Sequence, residues 1–459
     1  MKKITYLSKK SLLSLVIHVI VIIFIVSILK YSTNYLYSAN DNQKSKEKKI
    51  NTLVPKDNSN IDNLDKESKG LLNNFIKISK IIEQINTKNL DKDIILKLKR
   101  KISNLLRKTS RFSTYEEQKK YLYSLSNDIL KSDFISSNLK WMKMEKNKVD
   151  IIIEPEKKSK KIKIFILLND LEKNEQVRKY TQNINKFLGN LESSKSQISI
   201  NSSLIPSISV SNIIFPINLK RYILIKPDYE EYKKKIGYKL IILENVMKFH
   251  FKHSLKPVAQ KILTKKNIDL VDFESFFSHI VLHRISHFLG PVIVDSTLNK
   301  LTLVNESLGN YFHTIEEIKA DTLGLHNISV LTKQNFIEEK KANNIYMTYI
   351  INLLEKLRHE PKKEINQAYL IQFNYLLKKG GIVFNINNRK LLINLKKVKN
   401  TTKELMLNVI EIENRGSISN AEKLVNNYSS ISNELKEIIK ILKKIPEEFH
   451  FTSFQKGEE

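Results

Sequence analysis

Apolar residues recur at helical spacing through most of this chain and give way to short β-branched runs only in its middle. Leu71, Leu72, Phe75, Ile78, Ile81, Ile82 and Ile85 fall on one helix face, and 94–106 and 121–130 repeat the pattern, so 70–139 is expected to form a helical subdomain. Residues 149–153 and 162–168 are β-rich runs separated by the charged stretch 154–161, and 197–225 holds further strand-like pieces punctuated by Pro206 and Pro216. These define a mixed α/β lobe over 140–231. From 232 the helical period returns in 241–250, 254–263, 273–288, 315–325 and 335–357, with a closing pair after Glu404 and Ser419, which gives a second helical lobe over 232–459. The expected fold class is mostly α with a smaller mixed α/β (α+β) region.

The N-terminus has its own pattern. Residues 11–29 are apolar apart from Ser11, Ser14, His18 and Ser27, with Lys2, Lys3, Lys9 and Lys10 before them and Lys30 after. At ~1.5 Å per residue such a helix spans ~28 Å, about one hydrocarbon core, so the run predicts a transmembrane anchor. A cleaved signal sequence is the second reading, although its apolar part is ordinarily only ~7–15 residues. The Lys-rich residues 1–10 are expected in the cytoplasm and the bulk of the chain outside it, as a single-pass membrane protein; Lys44, Lys46, Lys48 and Lys49 weaken that charge asymmetry. Residues 30–69, rich in Asn, Ser, Lys and Asp, read as a flexible linker.

With 459 residues, 41% of them hydrophobic, the chain can bury a large core divided over two or three domains. Its net charge of +30 is spread as Lys among Ile and Asn, without Arg–aromatic clusters, finger spacing or a helix-turn-helix signature. That argues against specific nucleic-acid binding and leaves attraction to an anionic membrane surface. No cysteine is present, which excludes disulfides, thiolate ligands and a Cys nucleophile, so any metal site must use His and carboxylates. No glycine-rich phosphate loop or Ser nucleophile elbow occurs.

The chemistry concentrates in two segments. His283 and His287 are four apart, at the end of an apolar run that stops at Gly290-Pro291, so both imidazoles can face one ion. The same pair also reads as two packing or solvent-facing rings. Thirty residues on, Glu317 can supply a carboxylate ligand, and Asp321, four residues further, shares its face. One can ligate while the other accepts a hydrogen bond from a ligand His. A solvated acidic helix face has the same spacing. Between the two His stands Arg284, whose guanidinium, with a pKa above ~12, cannot act as a base. A unit charge ~5 Å from a dication is repelled by about 6 kcal/mol at an effective dielectric of ~20, unless a carboxylate such as Glu316 neutralises it.

The residues His283-Arg284-Ile285-Ser286-His287-Phe288-Leu289-Gly290-Pro291, followed by Glu316-Glu317-Ile318-Lys319-Ala320-Asp321-Thr322-Leu323-Gly324-Leu325, resemble the two motifs of the bacterial branch of the dipeptidyl peptidase III zinc peptidases. The likeness extends over about 141–454. It implies a two-lobed molecule with a central cleft holding a peptide or protein ligand, and zinc held by His283, His287 and Glu317 with Glu316 and Asp321 around them. Three positions depart from the family. Arg284 stands where the general base is expected, Ile365 where a transition-state His is expected, and 156–160 lack the expected Tyr. General-base help is worth ~10²–10⁴-fold and one oxyanion donor ~10²–10³-fold, so the resemblance implies a degenerate member that binds metal and peptide but is catalytically impaired. The alternative is an active zinc dipeptidyl peptidase with a non-standard base such as Glu316 or Glu364.

Overall fold

The computed structural model describes residues 52–53, 61, 63–87, 90–156, 161–183, 206–216, 218–219, 221–228, 230–291, 293–295, 301–358, 364–445 and 450–452. The apolar run at 11–29 and most of the expected linker lie outside them. Among the described residues, no helix is long and apolar enough to cross a membrane. The chain divides into two compact units.

The first comprises residues 47–179, 206–249 and 448–459. It contains helices α1 (Lys66–Thr87), α2 (Lys92–Ser110), α3 (Glu116–Lys131) and α4 (Ile135–Trp141), followed by strands β1 (Val149–Pro155), β2 (Ile162–Asn169), β3 (Ser207–Phe215), β4 (Ile223–Lys226) and β5 (Lys239–Leu243). The strand order is β1-β2-β3-β5-β4, with β3 and β5 parallel and the other neighbours antiparallel. Ile151, Ile152, Ile153, Ile166, Leu167 and Leu168 are all buried, on both faces of their strands. Phe75, Ile78 and Ile82 of α1, with Leu122 and Leu125 of α3, join them in one core, so helices cover the sheet and its strands read as continuous apolar runs.

The expected helix over 241–250 is corrected here. Lys239–Leu243 is a strand, and the helix begins only at Glu244. The run Leu240-Ile241-Ile242-Leu243 is equally apolar in either conformation, and pairing with β3 and β4 on its two sides decides between them. The helices α1 to α4 and the sheet fall within one compact unit, which in this part of the chain runs to Phe249.

The second unit contains 250–447 and is helical. Its elements include α5 (Lys256–Ile262), α6 (Phe273–Ser286), α7 (Phe312–Lys333), α8 (Glu339–Leu357), α9 (Glu364–Lys378), the hairpin β6 (Ile382–Asn385) and β7 (Lys390–Ile393), then α10 (Leu395–Arg415), α11 (Ile418–Tyr428) and α12 (Asn433–Leu442). A short π-helical turn, Phe251–Leu255, precedes α5. Helix α7 is the hub: Phe312, Ile315 and Ile318 pack with Ala368 and Ile371 of α9 and with Leu405, Val409 and Ile412 of α10. Both α6 and α7 are buried nearly all round, so packing fixes their rotation as well as their position.

Candidate metal centre

Helix α6 starts where Asp272 caps it. Its carboxylate accepts from the Ser275 backbone N–H at 2.7 Å and from Ser275 Oγ at 2.8 Å. With Phe276, Phe277, Val281, Leu282 and Ile285 fully buried, the helix brings His283 into its last turn and His287 to its C-cap. Glu316, Glu317, Lys319 and Asp321 lie on α7, packed along α6.

His283 Nε2 and His287 Nε2 are 3.1 Å apart, and Glu317 places Oε2 3.7 Å from the first and Oε1 3.7 Å from the second. The structure thus brings His283, His287 and Glu317 together as a group that can hold a metal ion. The other nitrogen of each ring meets a carboxylate. His283 Nδ1 donates to Asp321 Oδ1 at 2.7 Å, and His287 Nδ1 donates to Glu316 Oε1 at 2.9 Å. A carboxylate only accepts, so these bonds put the proton on Nδ1 and leave a lone pair on each Nε2. Two buried lone pairs aimed at each other across 3.1 Å repel unless a cation stands between them. A tetrahedral zinc with bonds of ~2.0–2.1 Å sets its nitrogen ligands ~3.3 Å apart, so the donor set fits.

The carboxylates are themselves held. Gln372 Nε2 donates to Asp321 Oδ2 at 3.0 Å, and Tyr349 Oη donates to Gln372 Oε1 at 2.8 Å. Burial alone would raise Asp321, but the His283 imidazole beside it brings it down to about 2. The second oxygen of Glu316 accepts from Lys319 Nζ at 2.7 Å, and the same ammonium lies 3.3 Å from Glu413 Oε2 of α10. All three groups are buried. Burial opposes the charge on Glu316, yet Lys319 and His287 hold its carboxyl well below the usual range. Burial, with Glu316 nearby, drives Glu413 well above that range despite Lys319, so Glu413 is the protonated member. Gly290, at φ +114°, makes room for this cluster, since a Cβ there would stand 3.2 Å from Lys319 Nζ.

Arg284 is half-buried, with its Nε enclosed and without a hydrogen-bond partner. Glu316 is not its counter-ion, because both Glu316 oxygens are engaged by His287 and Lys319. The same engagement weighs against Glu316 as a replacement base. Of the other positions singled out in the sequence, residues 157–160 and the side chains of Glu364 and Ile365 lie outside the described residues.

Four residues of the centre carry no role in the sequence reading. His279, one turn before His283, is fully buried, packs edge-on against Tyr349 at 5.5 Å and lies 3.6 Å from Asp321; burial pushes it down to about 4, so it is neutral. Its spacing from His283 and His287 is a signal the sequence does carry. Gln372 and Lys319 sit within the stretches that resemble the family, without anything to mark what they touch. Glu413 has no sequence signal at all.

The fold is that of dipeptidyl peptidase III, an α+β architecture. DPP III from Caldithrix abyssi superimposes with a TM-score of 0.73 at 20% identity, covering 86% of this chain and 96% of that one. Dipeptidyl-peptidase III from Corallococcus sp. strain EGB gives 0.59 at 21% identity, covering 76% and 67%. In sequence, the chain is 25% identical over 359 residues to Nudix hydrolase 3 of Arabidopsis thaliana, a match covering 75% of this chain and 46% of that protein. The chain thus spans about half the length of this curated relative. No protein-family model matches it.

Proposed function

We propose that this protein is a degenerate relative of the dipeptidyl peptidase III zinc peptidases, holding zinc through His283, His287 and Glu317 and binding a peptide while turning it over poorly or not at all. The observation that carries this reading is the convergence of two Nε2 lone pairs and a carboxylate at one point, with Arg284 as the next residue after the first ligand. Bound there, zinc would polarise a carbonyl and acidify a water. The residues around it do the remaining work. Asp321 and Glu316 fix the tautomer and aim of the two imidazoles, and Lys319 with Glu413 keeps Glu316 in place. Two of the positions where a base is sought do not supply one: Arg284 cannot take a proton, and Glu316 is committed to His287 and Lys319.

We further place the chain on the outer side of a membrane, tethered through residues 11–29. This reading is supported by their apolar run and the lysines before it.

The deciding experiment is elemental analysis and zinc titration of the full chain and of a His283→Ala/His287→Ala variant, paired with a dipeptidyl-substrate assay. One zinc per chain, lost in the variant, with little or no dipeptide release, is expected. Zinc binding unchanged by the double substitution would end the metal reading. Robust zinc-dependent hydrolysis, abolished in Glu317→Ala, would replace the impaired protein with an active peptidase. For the tether, protease added to intact spheroplasts should digest the chain, which should sediment with membranes; complete protection rejects the outward topology.

A further inference from the structure

The hairpin β6–β7 buries one face and leaves the other bare. Ile382, Phe384 and Leu391 are buried, while Val383 and Leu392, paired across the strands, are 51% and 45% exposed. Alternation along each strand puts Val383 and Leu392 on the same outward face. Ile386, in the turn, is 66% exposed. Single exposed apolar residues are ordinary, but three on one hairpin mark a contact surface.

The chain around this face is basic without relief. From 365 to 403 the sequence has eight Lys or Arg and no Asp or Glu. Over the whole chain 78 basic residues accompany 48 acidic ones, a ratio at which eight would bring about five acids. The excess is therefore local and exceeds the general lysine content. Lys379 and Lys399 are paired with Glu404 and Glu339, whereas Arg389, Lys396 and Lys397 are exposed. Glu437 of α12 feels the charge of Arg389 but is paired with Lys440. The Lys390 ammonium donates to the Lys261 carbonyl at 3.1 Å, which brings Lys261 of α5, itself exposed, beside the hairpin.

The turn is also prepared to lose water. Asn385 Oδ1 accepts from the backbone N–H of Asn387 at 3.0 Å and of Asn388 at 3.3 Å, and Asn388 Oδ1 accepts from that of Lys390 at 3.1 Å. Three donors that would otherwise need water are satisfied within the turn, so dehydrating it costs less.

We infer that the β6–β7 hairpin is a membrane-docking element: Val383, Ile386 and Leu392 enter the headgroup region of an anionic bilayer, and Arg389, Lys396 and Lys397 meet its negative lipids. Aliphatic side chains flanked by exposed cations suit such an interface, which offers an apolar boundary beneath a negative surface. A second copy of the chain is disfavoured, because two such faces carry the same charge. A nucleic acid would meet aliphatic groups where base stacking needs aromatic ones. The inference is independent of the tether through residues 11–29.

The chain has no cysteine, so Asn387→Cys gives the full-length protein a single attachment point for an environment-sensitive fluorophore beside an intact Ile386. The labelled protein is mixed with vesicles of phosphatidylcholine, alone or with phosphatidylglycerol added, each carrying a lipid quencher at headgroup depth. Emission is expected to shift to the blue and be quenched only in the anionic vesicles, and to recover at ~1 M salt, where the screening length falls to ~3 Å. Ile386→Ser, and separately Arg389→Gln/Lys396→Gln/Lys397→Gln, should reduce the quenching to that of a fluorophore attached through Ile418→Cys on α11, another exposed apolar position of this unit. Quenching that is absent, equal in the two kinds of vesicle, equal at the two labelled positions, or unchanged by either set of substitutions overturns the inference. A blue shift that grows with protein concentration in the absence of lipid assigns the face to a second copy and overturns it as well. Sedimentation separates the docking from the tether. A chain that pellets with both kinds of vesicle but shows no quenching at position 387 sinks only the docking; one quenched there, yet released from the vesicles by salt, sinks only the tether.

Discussion

Gly324 of α7 lies against the backbone of His283, where an added Cβ would stand 3.0 Å from the His283 nitrogen and 3.2 Å from the Leu282 carbonyl carbon. The close approach of α6 and α7, and with it the distance between the imidazoles and Glu317, depends on a missing side chain. Alanine is the better helix former by up to ~1 kcal/mol, but inserting a methyl against rigid backbone costs ~1–3 kcal/mol, so the clash wins. Gly324→Ala is expected to lower the thermal midpoint and weaken zinc binding together. A variant with a raised midpoint and unchanged zinc affinity would show that the helices are free to separate.

Asp321→Asn and Glu316→Gln are each expected to weaken zinc binding by ~10–100-fold while leaving all three ligands in place, because each amide can offer an NH₂ group to the imidazole and loosens its tautomer. Competitive titration against a chromophoric chelator reads this directly. Affinities within twofold of the parent would mean that packing alone orients the rings.

The buried Lys319 cluster should respond asymmetrically. Lys319→Met strands the ionised Glu316 and is expected to cost about 3–5 kcal/mol in chemical denaturation. Glu413→Gln exchanges a protonated carboxyl for its isostere and should cost much less. Equal losses would place the negative charge on Glu413 instead.

Burial, helped by Lys403 and Lys333, depresses His326 on α7 to about 4 in the folded protein. Its unfolded value is ~6.5, so the unfolded chain holds the proton more tightly between these limits. The contribution of His326 to stability is complete above pH ~6.5, declines as pH falls toward 4 and reaches a total loss of up to about 3 kcal/mol. His326→Gln should flatten this part of the stability–pH curve. A slope unchanged by the substitution would assign the acid sensitivity to other groups.

Arg284→Glu is expected to tighten zinc binding, since it removes a repulsion and adds a carboxylate beside the ion. Dipeptide release should recover only slightly, and more when Ile365→His is added, because groups acting in one transition state are not additive. Zinc affinity falling in Arg284→Glu would mean that the guanidinium does not oppose the metal.

Local periodicity is what made the centre readable. His283 and His287 share a face on any helix, as do Glu317 and Asp321, and the apolar residues around both segments announce buried helices. Their convergence across two helices was legible only through the resemblance between motifs. Residues 241–243 read as helix because an apolar run of four residues, Leu240 to Leu243, has no distinguishing period, and its neighbours in the sheet are distant in sequence. Glu413 was invisible for a related reason. It lies in an ordinary amphipathic helix, and only packing against α7 shows that this carboxyl is enclosed.

The reach of that last residue bears on any attempt to graft the centre. Among the described residues, the atoms that could face a metal come from α6, its C-cap and α7, which suggests a portable pair of helices. Yet the ammonium behind His287 also meets a carboxyl group from α10, so the excised pair would carry Lys319 into its host with one acidic partner where it now has two. A host scaffold must supply that second acid from a separate element, already positioned, before the transplanted imidazoles can keep their aim.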